Sequence, residues 1–146
     1  MDEIMDAVAI LQSGDKARAR ELMHILWERL ETGGTPIERA TLAHFLADTE
    51  EDVAEELHWD LAALKAATGA DAGENEHPVS AELATFLPSL HLNVGDAFRR
   101  SGDPHQALLH AELGLKRSHV LADDGYGTTI RQALLRLRER ALAGKR

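Results

Sequence analysis

The sequence predicts an all-α fold, and three observations support this prediction. Alanine, leucine, glutamate and arginine dominate the chain, and all four are strong helix formers. β-branched residues are sparse, and no stretch alternates apolar and polar residues as a strand does. Apolar residues recur three and four positions apart, which places them along one face of a helix. With 146 residues the chain can bury one core, so we expect a single domain over residues 1–146.

The first predicted element is a pair of short antiparallel helices. Asp2 is expected to cap the first helix, which ends near Gln12 and carries an apolar face of Ile4, Met5, Val8 and Leu11. A turn at Ser13-Gly14-Asp15 follows, because Gly14 suits the left-handed geometry that ends a helix and Asp15 can cap the next one. The predicted buried face of that second helix consists of Ala19, Leu22, Met23, Leu26 and Leu30.

A second helical pair is predicted after the loop at residues 32–36. Thr35 is the expected cap and Pro36 the first residue of a helix over about 36–48, with Ala40, Ala43, Phe45 and Leu46 on its apolar face. The carboxylates at residues 50–52 favour a new helix start, since negative charge stabilises a helix amino end. The fourth helix is predicted to bury Ala54, Leu57, Leu61 and Leu64, with Trp59 toward one edge.

The second half begins with a predicted surface loop at residues 68–78, which contains no large apolar side chain. A helix is predicted from about Ser80 to Arg100, with a kink or short break just before Pro88 because proline removes a backbone donor. Pro104 opens the next helix, on which Ala107, Leu108, Ala111 and Leu115 share a face.

A last turn is predicted at residues 123–127, with the ring of Tyr126 buried in it. The segment lacks the spaced oxygen ligands of a calcium loop and the Gly-Lys-Ser/Thr of a phosphate loop. The final helix is predicted to start at Thr128 or Thr129 and to carry an apolar face of Ile130, Leu134, Leu137 and Ala141. Its arginines are interpreted as solvated charges on a capping helix.

The sequence of the turn between the first two helices recurs, in closely similar form, 88 residues later. The segment SGDKARA at 13–19 corresponds to SGDPHQA at 101–107. Self-similarity of this kind is typical of proteins built from stacked repeats, in which a helical hairpin cannot cover its own apolar face and therefore packs against the next one. Small residues such as Gly95 and Ala107 are expected to let the backbones of neighbouring helices come close.

Residues 91–118 resemble one tetratricopeptide repeat. The small residue of the first helix falls at Gly95, the aromatic at Phe98, the turn at Gly102-Asp103, and the small residues of the second helix at Ala107 and Ala111. Residues 3–27 resemble the same unit through Ala7, Ile10, Gly14-Asp15 and Ala19, and residues 38–65 match more loosely, best at Ala43. About a dozen extra residues at 68–80 depart from the family's period of about 34 residues. The whole chain most resembles small tetratricopeptide-repeat proteins of actinomycete bacteria.

This resemblance implies a right-handed α-solenoid of about three helical hairpins, closed by a capping helix at residues 129–143. It also implies a non-enzymatic adaptor or scaffold that binds a protein or peptide in a concave groove lined by the first helix of each unit, without a cofactor. The expected groove residues are Ala40, His44, Asp48, Leu92, Asn93, Asp96, Arg99 and Arg100. The family's carboxylate clamp for chaperone tails is not visible, which argues against a chaperone adaptor.

Two alternatives of different kinds stay open at this point. A sensor of the same architecture would bind a small molecule or short peptide and relay a change of shape. A metal-dependent hydrolase would use His44 and Asp48, four residues apart on one helix, with His58 on the next. No His-Glu-x-x-His or Gly-x-Ser-x-Gly motif occurs, and His91 occupies a packing position of the repeat and is expected in the core.

The charge distribution bears on partners. Net charge is −9, but residues 1–98 hold 20 acidic and 6 basic residues, whereas residues 99–146 hold 5 acidic and 10 basic ones. This division predicts salt-dependent, head-to-tail contact between copies of the chain. The anionic chain lacks stacking aromatics and a broad basic face, which argues against nucleic acid as the partner.

Composition also bears on compartment and source. There is no cysteine, which excludes disulfides, thiolate zinc sites and a cysteine nucleophile. The amino terminus is acidic where a secretory signal is basic, and no apolar run reaches membrane-spanning length, so we expect a cytoplasmic protein without membrane contact. Arginine outnumbers lysine twelve to four, a bias associated with GC-rich bacterial genomes.

Overall fold

The computed structural model describes residues 1–69 and 80–144, and within them it contains helices and no strand. The all-α prediction is therefore confirmed. The helices are α1 (Asp2–Gln12), α2 (Lys16–Gly33), α3 (Pro36–Asp48), α4 (Val53–Thr68), α5 (Ala81–Arg100), α6 (Pro104–Arg117) and α7 (Gly125–Gly144), with a single 3₁₀ turn at Ser118–Val120. The loop predicted over residues 68–78 lies outside the described residues from residue 70 onward.

The helices divide into two compact units, α1–α4 and α5–α7. In the first, α1 and α2 pack as a pair, α3 contacts both of them, and α3 and α4 form an extensive hairpin. In the second, α5 and α6 form the hairpin and α7 contacts both. The single domain over residues 1–146 stays a prediction. None of the helices in the described part of the chain has the length and apolar character needed to cross a membrane.

The copied turn forms the corner of a helical hairpin at both places. Gly14 and Gly102 have φ angles of 101° and 86°, which glycine adopts without the steric cost that a side chain would add. The carboxylate of Asp15 accepts a hydrogen bond from the backbone N–H of Arg18 at 3.2 Å, and Asp103 accepts from that of Gln106 at 3.1 Å. The sequence prediction of two equivalent corners is confirmed, because in each corner a glycine with positive φ ends one helix and the aspartate after it caps the next.

Helix α3 has the bounds that its cap predicts. The hydroxyl of Thr35 accepts from the backbone N–H of Glu38 at 3.2 Å, and the Glu38 carboxylate accepts from the N–H of Thr35 at 3.0 Å. This reciprocal capping box satisfies two amide donors at the helix start. The Glu38 carboxylate accepts hydrogen bonds from both the backbone N–H and the hydroxyl of Thr35, and these two bonds lower the pKa of Glu38 because they favour its ionised form.

Helix α5 runs through Pro88 without the predicted break. The ring of Pro88 is fully buried, and its neighbours Leu87 and Leu90 are buried with it. Most helix stability in proteins comes from packing an apolar face rather than from individual backbone bonds. Burial of this stretch therefore holds the helix together although Pro88 lacks an N–H.

The apolar face predicted for α4 is confirmed at Leu64 and wrong at Ala54, Leu61 and Trp59. Ala54 is exposed and Leu61 is 38% exposed, whereas Trp59 is buried, together with Asp60, Ala63, Leu64 and Ala67. The physical reason is the size of the indole, which removes more apolar surface from water than a leucine does. Its ring meets the ring of Trp27 on α2 edge to face, with centroids 5.1 Å apart. Trp59 is thus central to the buried face rather than at its edge.

The start predicted for the last helix and the environment predicted for Tyr126 were also wrong. Helix α7 begins at Gly125, because the Asp124 carboxylate accepts a hydrogen bond from the backbone N–H of Gly127 at 2.8 Å and so caps the helix earlier. The ring of Tyr126 lies on the outer side of this first turn and is 55% exposed. Gly127 is buried against the carbonyl of Ala122 and leaves no room there for a side chain.

Two glycines let α7 approach the α5–α6 hairpin closely. A Cβ at Gly95 of α5 would lie 2.6 Å from Cδ2 of Leu137, and one at Gly114 of α6 would lie 2.6 Å from Cδ2 of Leu134. Both distances are well below van der Waals contact. The expected close approach at Gly95 is therefore confirmed, and it places Leu137 against α5, where the candidate site begins.

Candidate functional site

An open groove of about 260 Å³ lies between α5 and α7. Helix α5 contributes Leu92, Asn93 and Asp96 to it. Helix α7 contributes Ala133, Arg136, Leu137 and Arg140. The three residues from α5 belong to the set that the sequence analysis selected as groove residues, and the structure brings them together on one wall.

The periodicity of the α-helix, about 3.6 residues per turn, explains why these side chains share the groove. Positions 133, 136, 137 and 140 follow the spacing of one helix face, and positions 92, 93 and 96 do the same on α5. Leu137 is only 3% exposed and lies against Gly95, so it forms the floor of the groove with Leu92. Asn93, Asp96 and the two arginines surround this apolar floor with polar groups.

The α5 wall holds an ion-pair cluster. One carboxylate oxygen of Asp96 accepts from the guanidinium of Arg99 at 3.0 Å, and the other accepts from Nε of Arg100 at 2.9 Å. These pairs join residues three and four apart, which face each other on a helix. Arg99 and Arg100, both predicted groove residues, are thus held by a carboxylate of their own helix and do not line the groove.

The α7 wall carries cationic charge that no carboxylate of the described residues neutralises. Arg136 and Arg140 are exposed, and within residues 1–69 and 80–144 neither has a hydrogen-bonding or ion-pair partner. Arg131 of the same helix differs, because its guanidinium donates to the backbone carbonyl of Leu121 at 2.8 Å. Arg131 therefore has a structural contact, whereas Arg136 and Arg140 present their charges to the groove.

The other predicted groove residues lie on α3, in the first unit. Ala40 is fully buried in the core and offers no surface to a ligand. The ring of His44 meets that of Phe45 edge to face, with centroids 4.9 Å apart. Burial lowers the pKa of His44, and the nearby Asp48 carboxylate opposes that shift. Desolvation of its carboxyl group raises the pKa of Asp48, although the residue as a whole is exposed, and His44 opposes that rise.

The proposed ligand set of His44, Asp48 and His58 does not assemble into a metal centre. Across the described parts of the chain, no three histidine, aspartate or glutamate side chains cluster closely enough to hold a metal ion. His58 is exposed and its ring lies against Trp59, with centroids 5.0 Å apart. The pair His44 and Asp48 is what remains of the predicted set.

A second open groove, of about 430 Å³, lies in the first unit where α2 begins and α4 starts. Its lining includes Lys16, Arg20 and the segment 49–52. Nε of Arg20 and a carboxylate oxygen of Glu50 form an ion pair across it at 3.1 Å. The charges of this groove thus partly neutralise one another, which distinguishes it from the α5–α7 groove.

A stack of three rings lies beside the α5–α7 groove, in the interior of the same unit. His91 is 5% exposed, as its expected core position requires, and its Nδ1 lies 3.1 Å from Nδ1 of His110. The His110 ring also stacks on Phe98, with centroids 5.7 Å apart. Burial, the neighbouring His110 and the charge of Arg117 together lower the pKa of His91 to about 4, and burial also lowers the pKa of His110.

Sequence reasoning missed the α7 half of the groove. Arg136 and Arg140 were interpreted as solvated charges on a cap. A signal was present, because Ala133, Arg136, Leu137 and Arg140 form one stripe in which two apolar residues alternate with two cations. The sequence of the stripe does not show which helix lies opposite it.

No protein-family model matches the sequence, and no curated protein or solved structure is significantly similar to it. The tetratricopeptide-repeat resemblance therefore has the standing of a hypothesis from residue pattern.

Proposed function

We propose that this protein is a non-enzymatic interaction module of the tetratricopeptide-repeat type, which binds a segment of a partner protein in the α5–α7 groove. One observation carries the proposal. Leu92, Asn93 and Asp96, selected from the sequence as groove residues, line an open groove that has an apolar floor and a polar rim. Apolar pockets with a few convergent polar groups are the usual form of a binding site.

The arrangement within each unit supports the repeat interpretation. A helical hairpin is followed by a helix that contacts both of its members: α3 contacts α1 and α2, and α7 contacts α5 and α6. Stacked repeats bury their apolar faces in this way, each on its neighbour. Gly95 supports the same interpretation, since it occupies the small-residue position of the repeat and permits the closest approach of α7 to α5.

The form of the groove favours a peptide over a small molecule. Sites for small molecules surround most of the ligand surface, whereas this groove is partly open to solvent and, at about 260 Å³, smaller than most such pockets. Its polar groups also favour binding over catalysis. Asp96 is the carboxylate of the groove lining, and its two oxygens already accept hydrogen bonds from Arg99 and Arg100.

A groove-filling variant tests the proposal. Ala133→Phe places a ring in the groove, and Gln132→Phe adds the same ring at an exposed neighbouring position outside it. Peptides enriched from a random display library on the unaltered protein are then measured by fluorescence anisotropy against both variants. We expect Ala133→Phe to weaken binding at least roughly tenfold and Gln132→Phe to change it less than about twofold.

The proposal fails if no peptide is enriched over repeated rounds, or if enriched peptides bind Ala133→Phe as tightly as the unaltered protein. Circular dichroism of each variant establishes that the helices are retained. If Ala133→Phe loses both binding and helix content, its loss of binding reflects unfolding rather than a filled groove. The smaller substitution Ala133→Leu then replaces it.

A further inference from the structure

The charge pattern of the groove identifies the chemistry of its ligand. Arg136 and Arg140 lie one helical turn apart on one wall, so their Cα atoms are separated by about 6 Å along the axis of α7. Both lie in the groove lining, both are exposed, and neither has a partner in the described part of the protein. An unneutralised pair of guanidinium groups in a groove favours a ligand with two negative charges at a matching separation.

The opposite wall differs in charge. It carries Asp96, whose carboxylate is part of the groove lining and is ion-paired with Arg99 and Arg100. A ligand that places negative charge against this wall meets a carboxylate. A ligand that places an apolar side chain there meets Leu92 and the floor formed by Leu137.

We infer that the groove binds an extended acidic segment of a partner protein, in which two Asp or Glu residues flank one uncharged apolar residue. This inference rests on the proposed function. In an extended chain, side chains two residues apart point to the same side and are about 6.7 Å apart, close to the spacing of the two arginines. The two carboxylates therefore meet Arg136 and Arg140, and the residue between them points to the α5 wall with Leu92.

The same features disfavour other anions. A chain terminus offers one carboxylate, which leaves the second arginine without a partner. A nucleic acid presents a continuous phosphate backbone that brings charge toward Asp96, and its bases would find no aromatic side chain among the residues that line the groove. An internal segment with alternating acidic and apolar residues satisfies both walls at once.

The test uses the full chain and three amidated, fluorescein-labelled peptides that differ only at their centre. The first contains Glu-Leu-Glu, the second Gln-Leu-Gln, and the third Glu-Glu-Leu, which keeps the charge and changes the spacing. Binding is measured by anisotropy to the unaltered protein, to Arg136→Ala/Arg140→Ala, and to Arg138→Ala. Arg138 is the matched control, because it is a cation of the same helix that does not line the groove.

We expect the Glu-Leu-Glu peptide to bind most tightly and the double variant to weaken it at least roughly tenfold, while Arg138→Ala changes it less than about twofold. The difference between the two variants should shrink as salt is raised from about 50 to about 500 mM, because exposed charges are screened. The inference is overturned if Gln-Leu-Gln binds equally well, if Glu-Glu-Leu matches Glu-Leu-Glu, or if the two arginines make no difference.

Failures of the two proposals are distinguishable. If the library of the previous section yields groove-binding peptides without acidic residues, only the present inference fails. If the library yields no peptide over repeated rounds, the proposed function fails as well. A competition experiment distinguishes between anions, with unlabelled Glu-Leu-Glu peptide, a short RNA and inorganic pyrophosphate as competitors of the labelled peptide. The inference is overturned if the RNA or pyrophosphate displaces the labelled peptide at a lower concentration than the unlabelled peptide does. So does light scattering that shows self-association which the double variant abolishes, since the occupant is then a second copy of the chain.

Discussion

Replacing Gly114 by alanine should destabilise the protein, although alanine is the better helix former. Helix propensity alone favours the substitution by about 1 kcal/mol. The added Cβ, however, would lie 2.6 Å from Cδ2 and 3.3 Å from Cδ1 of Leu134, and 3.2 Å from Cβ of His91. Leu134 is fully buried beside Leu121 and Ile130, so it has no open direction in which to move.

The magnitude follows from these two opposing effects. Overpacking a filled core costs about 1–3 kcal/mol, and the complete burial of Leu134 places this site in the upper part of that range. The expected net loss in the free energy of unfolding is therefore about 1–2 kcal/mol. Urea denaturation followed by far-UV circular dichroism measures it, since a change of midpoint at constant slope reports a change of stability.

Two companion variants make the reasoning refutable. Gly125→Ala lies in the first turn of α7 with no atom within 4 Å of the new Cβ, so it should leave the free energy of unfolding unchanged or raise it. In a Leu134→Val background, which removes both Cδ atoms, Gly114→Ala should no longer destabilise. If Gly114→Ala stabilises the unaltered protein as Gly125→Ala does, or if the Leu134→Val background makes no difference, close packing at Gly114 is not what its glycine provides.

Three further predictions concern other parts of the fold. Folding lowers the pKa of His91 from 6.5 to about 4, so the unfolded chain binds more protons between these two pH values. The free energy of unfolding should therefore fall as the pH falls from about 6.5 to about 4. His91→Leu should reduce this pH dependence, which urea titrations at several pH values measure. Asp103→Ala removes a helix cap and should cost about 1 kcal/mol of unfolding free energy. Trp59→Ala should cost about 3–5 kcal/mol by the same denaturation assay and Leu61→Ala less than about 1 kcal/mol, and equal losses would contradict the observed buried face of α4.

Local signals predicted the helix ends that depend on a few neighbouring residues. The bounds of α3 follow from Thr35 and Pro36, and both copies of the hairpin corner follow from a glycine and the aspartate after it. The start of α7 was missed although it depends on equally local contacts. Two glycines favoured a turn on propensity, whereas the bond from Gly127 to Asp124 extends the helix through them.

The buried face of a helix is harder to predict where two apolar stripes overlap. In α4, one stripe passes through Leu57, Leu61 and Leu64, and another passes through Trp59 and two alanines. Periodicity alone gives both stripes similar weight. The choice is made by Trp27 of α2, which meets Trp59 edge to face, and no pattern within α4 contains that information.

One wall of the candidate site was predictable from the sequence, and the other was not. The α5 wall follows from the repeat pattern, because that pattern identifies which side of the helix is left for the groove. The α7 wall depends on a contact between Gly95 and Leu137, 42 positions apart in the sequence, which fixes how closely the two helices approach. Arg136 and Arg140 gain their place in the groove through the packing of α7 against the α5–α6 hairpin, of which that contact is a part.

Leu137 therefore links the packing of α7 to the proposed binding groove. Its side chain lies against Gly95, and its neighbours one position before and three positions after are the two groove arginines. On a helix these three positions share one face, so anchoring Leu137 on α5 also turns Arg136 and Arg140 toward the groove wall, whereas Arg138 is rotated away from it. A cation elsewhere on α7 cannot replace them by charge alone. For this reason the comparison of Arg136→Ala/Arg140→Ala with Arg138→Ala separates a shaped site from general attraction between a basic helix and an acidic peptide.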